Sequence, residues 1–222
     1  MPINSTPFYH ETTRKLITVF GTLFNNIKVV RDNAKEITVP IQYGSKEKWY
    51  TRLKQDPNLA KSEAITLPRL GFISPGLTYD SIRKLSSITK LTGPNSESTT
   101  AVKTVFQPVP YSVDIELFLW SKTMTDGMQI LEQIIPFFRP SFTVTMVELS
   151  DPEITRDVLI TLNSIVHTDN AEGLLNDTRM LEWTFGFNIE ANYYGPVSDS
   201  DIMVLISCFS GNTPTLETII YK

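Results

Sequence analysis

Residues 111–142, YSVDIELFLWSKTMTDGMQILEQIIPFFRPSF, join two regular patterns with almost no loop between them. In the first part, every second residue is apolar: Val113, Ile115, Leu117 and Leu119. A period of two is typical of a strand with one buried face. From Met124 onward, apolar residues instead recur at steps of three and four, which predicts a helix with one apolar stripe. The sequence therefore predicts a strand and a helix packed as one unit.

The predicted helix has signals at both ends. Thr123 or Thr125 can cap its first turn. Its apolar stripe is formed by Met124, Met128, Leu131, Ile135 and Phe138, and its opposite face by Asp126, Gln129, Glu132 and Gln133. Because Pro136 and Pro140 each remove a backbone donor, we expect the helix to stop or kink near Ile135. A strand is expected to follow at 142–147.

Similar patterns predict the remaining elements. Helices are predicted at 8–24 and 46–54, and strands at 27–30, 37–43, 64–73, 77–85, 156–166, 180–193, 202–209 and 216–221. Pro40 and Pro68 fall inside two of these strands and therefore predict sheet edges or bulges. Residues 86–104, rich in Ser, Thr, Asn, Gly and Pro, predict a mobile loop or an arm that orders on a partner. The sum is one α+β domain over 1–222, with largely antiparallel sheet and a few flanking helices.

Composition limits the classes of function. The 222 residues are 41% apolar, which is ordinary for a soluble globular protein. The first fifteen residues lack the pattern of a secretory leader, so we expect an intracellular protein. Cys208 is the single cysteine, so no internal disulfide is expected. The net charge of −4 argues against a surface built mainly to bind phosphate.

Several blocks of sequence together resemble one family. The longest is VPYSVDIELFLWSKTMTDGMQILEQIIPFFRPSFTVTM, and FGTLFNNIKVVR, ITVPIQYGSKEKWYTRL, ITLPRLGF and RMLEWTFGFNIEANYYGPV are the others. In this order they resemble the tail sheath stabiliser, or tail completion protein, of contractile-tailed phages related to the T-even group. The similarity covers most of the chain from about residue 8 to residue 197 and is weakest over residues 198–222.

This resemblance implies a structural virion protein without catalytic activity or a cofactor. It implies a subunit of a ring, with six copies expected, at the head-proximal end of the tail. Such a ring would cap the sheath and tube and join them to the neck, so the implied partners are further copies, the tail sheath protein, the tail tube or its terminator, and neck or head-completion proteins. DNA would pass through the lumen without being held. A neck or tube-terminator protein is the alternative within the same class.

Some aromatic and arginine side chains are candidates for contacts between subunits. The aromatic candidates lie among polar residues and prolines, where we expect some of them not to be fully buried in one subunit. Arg and aromatic residues are also enriched at protein interfaces. The candidates are Trp49, Arg52, Arg69, Tyr193, Tyr194 and Tyr221. For Tyr193, a small core beneath a loop is an equally good explanation.

Two interpretations from other classes remain open. Asp114 with Glu116, and Asp199 with Asp201, each stand two apart on predicted strands, and paired carboxylates can bind metal or support hydrolysis. The usual explanation of such pairs is the wet face of a sheet. Lys46, Lys48 and Arg52 form the densest basic group and allow a nucleic-acid-binding module, although Glu47 and Asp56 interrupt it.

Overall fold

A computed structural model describes residues 7–31, 35–48, 67–95, 98–169 and 180–201. Helix α1 at Thr12–Leu23 and helix α2 at Met124–Ile134 lie wholly within these ranges, residues 46–48 are also helical, and a 3-10 turn at Ile135–Phe137 follows α2. The strands are β1 Lys28–Val30, β2 Glu36–Thr38, β3 Ile41–Tyr43, β4 Arg69–Tyr79, β5 Lys90–Asn95, β6 Ser98–Phe106, β7 Val109–Ser121, β8 Ser141–Ser150, β9 Glu153–Asp169, β10 Leu181–Tyr193 and β11 Ser198–Asp201. This confirms the predicted α+β class. No described helix is long and apolar enough to span a membrane.

The strands form three sheets. The largest has the order β3-β4-β7-β10-β9-β8, and its pairs are antiparallel except for β3 with β4. Strands β1 and β2 form a small ribbon, and β11, β6 and β5 form a three-stranded sheet. At the centre, β7 and β10 pair continuously from Ser121 opposite Leu181 to Val109 opposite Tyr193. The prediction of a largely antiparallel sheet is confirmed.

The main core lies on one face of the six-stranded sheet. The odd-numbered residues of β7 and β10 supply the sheet side, and the period of two that predicted them is confirmed. Helix α1 contributes Leu16 and Phe20, both at most 2% exposed, and α2 contributes Ile130 and Ile134. The Phe20 ring lies 5.2 Å from the rings of Phe72 and Phe187. Burial of each such side chain contributes about 1.5–3 kcal/mol, so this face dominates the stability.

Helix α2 is capped and terminated as predicted but is rotated about its axis. Thr123 is the cap, because its side-chain oxygen accepts from the backbone N–H of Asp126 at 3.3 Å. Met124 and Met128, predicted to be buried, are 42% and 47% exposed, whereas Asp126 and Gly127 are buried. The physical reason is the approach of the helix to the sheet: a Cβ at position 127 would lie 2.2 Å from the indole of Trp183. The helix therefore seats its glycine on the largest side chain of β10.

Two glutamines on α2 bind an open strand edge. Gln129 accepts from the N–H of Val30 at 3.0 Å and donates to its carbonyl at 3.1 Å. Gln133 bonds Lys28 in the same way, at 3.3 and 2.7 Å. The side-chain amides thus reproduce the hydrogen bonds that a neighbouring strand would make to β1. The sequence prediction placed both glutamines in solvent, and their exposure conceals this role.

Several predicted boundaries are corrected. Residues 74–76 do not separate two strands, because β4 passes through them with a shift of register between Ile73 and Gly76. Pro40 divides the predicted strand 37–43 into β2 and β3, and β3 is an edge strand as expected. Pro68 directly precedes β4 instead of interrupting it. The helix predicted at 46–54 is described only at 46–48, and the strands predicted at 202–209 and 216–221 lie outside the described residues.

The expectation of an irregular loop at 86–104 is wrong for most of that segment. Its residues form β5 and much of β6, which pair with each other, while β11 pairs with the other side of β6. Threonines and short side chains fit a pleated ribbon as well as they fit a loop, so composition did not separate the two. Whether this segment contacts a partner stays a prediction.

The fit of α2 on the sheet gives a test of stability. We expect Gly127→Ala to lower the free energy of unfolding by about 1–3 kcal/mol, because the added methyl group has no room against the buried indole of Trp183. Gly195→Ala is the matched control, since no atom lies within 4 Å of its added Cβ. Urea unfolding midpoints measure both variants. Equal midpoints for the two would contradict the close contact.

Candidate assembly surfaces

A tightly held turn follows β4. The Asp80 carboxylate accepts from the N–H groups of Ile82 and Arg83, at 2.9 and 3.3 Å. Arg83 Nε donates back to Asp80 Oδ2 at 2.7 Å, and Nη2 of the same side chain donates to the Tyr111 carbonyl at 3.0 Å. The hydrogen bond from Arg83 holds the pKa of Asp80 below its usual value. These contacts fix the turn on the end of β7.

This turn presents a group of apolar side chains, which we call the apolar knob. Ile82 is 94% exposed and Ile88 is 84% exposed, and the other members are Leu85, Tyr79, Phe106 and Val109. Hydrogen bonds from Asp80 N–H to the Pro110 carbonyl and from Gln107 N–H to the Thr89 carbonyl hold residues 80–89 beside 107–110. A concentration of exposed apolar side chains is typical of a protein-binding surface.

A second apolar surface lies between the end of α1 and the 3-10 turn. This aromatic groove encloses about 660 Å³ and is lined by Leu23, Phe24, Asn26, Ile27, Glu132, Gln133, Ile134, Pro136, Phe137, Phe138 and Phe142. Phe137 is 66% exposed at its mouth. The Phe24 and Phe138 rings lie nearly parallel, 6.3 Å apart, and form its floor with Phe142, 6.1 Å from Phe138. The groove is thus deep enough to take an apolar side chain.

Strand β8 is the outer strand of the six-stranded sheet and pairs only with β9 among the described residues. Exposed sheet edges in soluble proteins are usually protected by lysine, proline or a covering segment, because their free backbone groups invite another strand. The sequence of β8, SFTVTMVELS, contains neither lysine nor proline. Its one charged residue, Glu148, is buried. This edge is chemically suited to accept an extended segment.

Polar and apolar contacts gather where the three-stranded sheet meets the large one. The hydroxyl of Tyr194 donates to Glu148 Oε2 at 2.6 Å, and the Asn192 amide donates to Glu148 Oε1 at 2.8 Å. Lys103 on β6 pairs with Asp151 in the turn between β8 and β9. Val105, Leu149 and Tyr194 form a small core at this junction. Burial and the hydrogen bond to Glu148 raise the pKa of the Tyr194 hydroxyl well above its ordinary value of 10.0.

The predicted contact residues do not form one site. Arg69 lies at the start of β4 and donates to Gln42 at 2.8 Å, whereas Tyr193 lies at the opposite end of the sheet. Tyr193 is half-buried: its hydroxyl lies 2.9 Å from Thr13 Oγ1 and its ring packs edge-on against Tyr111. Tyr194 is 5% exposed and therefore lies among the buried aromatic residues of the subunit. A contact role for Arg69 and Tyr193 stays a prediction.

Trp49, Arg52 and Tyr221 lie outside the described residues, so their predicted contact roles are neither supported nor opposed. The apolar knob and the aromatic groove were not found from the sequence. Residues 77–85 were predicted as strand, although an aspartate followed by a polar residue and an arginine three positions later is compatible with a side-chain-capped turn. The groove combines α1 with residues more than a hundred positions away, and no local pattern reports such a contact.

Two of the charged groups behind the other interpretations, Asp114 and Lys46, take part in structural contacts. Asn188 donates to Asp114 at 3.0 Å across the β7–β10 pair. Within the described part of the chain, no three acidic, histidine or cysteine side chains are placed to hold a metal ion. Lys46 Nζ lies 2.5 Å from Oε1 of the buried Glu182 and therefore compensates the negative charge of that carboxylate within the same subunit. Lys48 is exposed, and Arg52 lies outside the described residues.

Comparisons with known proteins agree on one family. A profile of the family described as "T4-like virus Myoviridae tail sheath stabiliser" matches residues 7–218. The chain is 32% identical over 225 aligned positions to tail completion protein gp15 of Enterobacteria phage T4. That alignment covers 94% of this chain and 80% of the relative. The match extends through residues 198–218, for which the sequence blocks alone gave little support.

The buried hydroxyl of Tyr194 predicts a specific loss of stability. Tyr194→Phe leaves one oxygen of the buried Glu148 without its donor, which costs about 1–3 kcal/mol. Tyr79→Phe is the control, since its ring is 45% exposed and we expect a change below about 0.5 kcal/mol. Chemical denaturation measures both values. A Tyr194→Phe variant as stable as the original would show that this hydrogen bond contributes nothing.

The same hydroxyl predicts instability at high pH. The folded state holds Tyr194 neutral, while the unfolded chain releases its proton above the ordinary pKa of 10.0. Stability from this group is therefore complete below pH 10.0 and declines as the pH rises further. We expect the unfolding free energy of the original chain to fall more steeply above that pH than that of Tyr194→Phe. Parallel curves would contradict the raised pKa.

Proposed function

The chain belongs to the tail sheath stabiliser family of T4-like myoviruses, a family of structural phage tail proteins, and on this premise we propose that it closes the head-proximal end of the tail. Copies of the chain form a ring, six in number, that caps the contractile sheath and the tube. One face of the ring meets the last sheath and tube subunits, and the other meets the neck. The protein acts by matching shapes and carries out no reaction.

The observation that carries this proposal is the separation of the apolar surfaces. The apolar knob lies at the end of β4 and the start of β7, whereas the aromatic groove lies beside α1 and the start of β8. A subunit inside a closed ring needs two different patches, one for each neighbour, and a rotation that closes. It also needs a surface for the sheath. A stable contact of this kind buries about 1,600 Å² in total, more than any single exposed side chain provides.

Strand addition provides the contact with other chains. An extended segment can be added at two edges of the large sheet. One edge is the backbone of β8, and the other is the short edge strand β3 beside Pro40. The terminal segment 216–221 is the candidate for the added strand. Because it lies outside the described residues, its role rests on the sequence pattern. Growth of the sheath ends if one face of the ring fits the last sheath subunits and the opposite face offers no strand for further addition.

DNA passes through the lumen of the ring without being held. The net charge of −4 supports passage, because a surface that binds phosphate tightly needs clustered lysine and arginine. Lys46 and Arg31 are instead paired with the buried carboxylates of Glu182 and Asp126. The remaining alternative in this class is a neck or tube-terminator protein. Ring symmetry alone does not separate that alternative from the sheath cap.

Assembly in solution and on tails tests the function. We expect the purified chain, alone or with sheathed tails, to form rings of six 25.1 kDa subunits that remain intact when salt is raised, because apolar contacts are not screened. Light scattering gives the mass and negative-stain imaging gives the symmetry. Labelled protein in intact virions then shows whether the ring sits on the sheath or on the neck. A monomer that leaves tail ends bare would refute the proposal.

A further inference from the structure

We propose that the apolar knob of one copy inserts into the aromatic groove of the next copy, with Ile82 as the central contact. This inference rests on the proposed ring and deepens it by naming the two surfaces that meet. The contact is heterologous, because each copy offers its knob to one neighbour and its groove to the other.

The two surfaces lie on different parts of the subunit. The knob follows β4 on the end of the sheet where β7 begins. The groove lies on the helical face, next to Phe142 on β8. Three strands, β7, β10 and β9, lie between β4 and β8 in the sheet. At the usual spacing between strands, β4 and β8 are therefore about 19 Å apart. Because the knob and the groove are separated in this way, the knob of one copy is placed to meet the groove of another.

The knob has the shape and stiffness of an interface anchor. Ile82 is almost fully exposed, yet its backbone N–H is held by Asp80, and the Arg83 contacts fix the turn to β7. Ordering a flexible loop costs entropy on binding, and a preformed turn avoids most of that cost. An exposed, rigidly presented isoleucine has no stabilising function inside its own subunit. Its position is explained if a partner covers it.

The groove has the complementary shape. Its phenylalanine rings enclose about 660 Å³, which exceeds the size of one aliphatic side chain and leaves room for Leu85 or Ile88 beside Ile82. Phe137, 66% exposed, forms a lip that an inserted side chain would cover. Burial of aliphatic groups against aromatic rings removes apolar surface from water on both partners.

Charge favours a second copy as the occupant. Glu132 is the single charged residue among those that line the groove. Lys84 is exposed two positions after Ile82, on the same turn. When the knob of one copy enters the groove of the next, Lys84 of the first copy comes to face Glu132 of the second. Such pairs at the rim of an interface contribute orientation more than affinity.

Cysteine crosslinking tests the contact directly. In a Cys208→Ser background, Ile82→Cys and Phe137→Cys are made as separate variants, mixed and oxidised. We expect covalent dimers of twice the 25.1 kDa chain from the mixture and none from either variant alone. A chain that carries both cysteines should give a ladder up to the closed ring. Val166→Cys, at a site 55% exposed on β9, replaces Ile82→Cys as the control and should give no dimer with Phe137→Cys.

Charge variants measure the strength of the contact. Ile82→Glu should raise the concentration for half-assembly by about thirtyfold or more, as loss of a central contact residue does. Its unfolding midpoint should not change, because Ile82 is exposed in the subunit. Lys84→Glu should weaken assembly modestly, and Glu132→Lys on the same chain should restore it. The reversal separates a contact between copies from a general effect of charge.

Other outcomes overturn the inference and leave the ring standing. If Ile82→Glu forms normal rings but no longer binds tails, the knob serves the sheath. If Phe137→Cys in the original background crosslinks to Cys208, the C-terminal segment occupies the groove. Rings that form without the Ile82–Phe137 crosslink also refute the proposed pairing. Failure of the original chain to assemble under any condition would instead refute the proposed function.

Discussion

The structure depends on one long antiparallel pair whose odd-numbered face carries the main core. Strands β7 and β10 run side by side over their full length, and their odd-numbered residues all point to the same side. That face can be covered only by elements that arrive from elsewhere in the chain, so α1 and α2 pack there. Where the covering helix meets the widest side chain, Trp183, it carries glycine. The position of α2 fixes the 3-10 turn that follows it, and this turn builds one wall of the aromatic groove.

The sequence is informative where a single physical effect determines the local structure. Val113, Ile115 and Leu117 must face the core in any strand that contains them, and Thr123 is placed to cap whatever helix follows. The rotation of α2 was not predictable in this way, because it results from a contact between Gly127 and a residue 56 positions later. The assembly surfaces are harder still. Ile82 and Phe137 are apolar residues whose exposure is decided by tertiary packing, and hydrophobicity alone assigns them to a core.

Rigid and open features are combined in the subunit in a way that suits assembly. The knob is held by Asp80 and Arg83, and Lys103 on β6 pairs with Asp151 and so ties the three-stranded sheet to the large one. These contacts settle the local shape before any partner arrives. By contrast, the backbone of β8 remains available to another chain among the described residues. A component that ends a polymer must be fixed enough to present one geometry and open enough to join it.

The glutamine bonds to β1 show how the fold limits this openness. Gln129 and Gln133 close one backbone edge with side chains that belong to a helix. A helix cannot pass hydrogen bonding on to a further strand, so pairing that reaches this edge comes to a dead end. Strand β8 differs, because it pairs only with β9 among the described residues, and Lys15 binds its backbone at the Glu148 carbonyl. The fold thus closes one strand edge with side-chain amides and presents backbone amides along another.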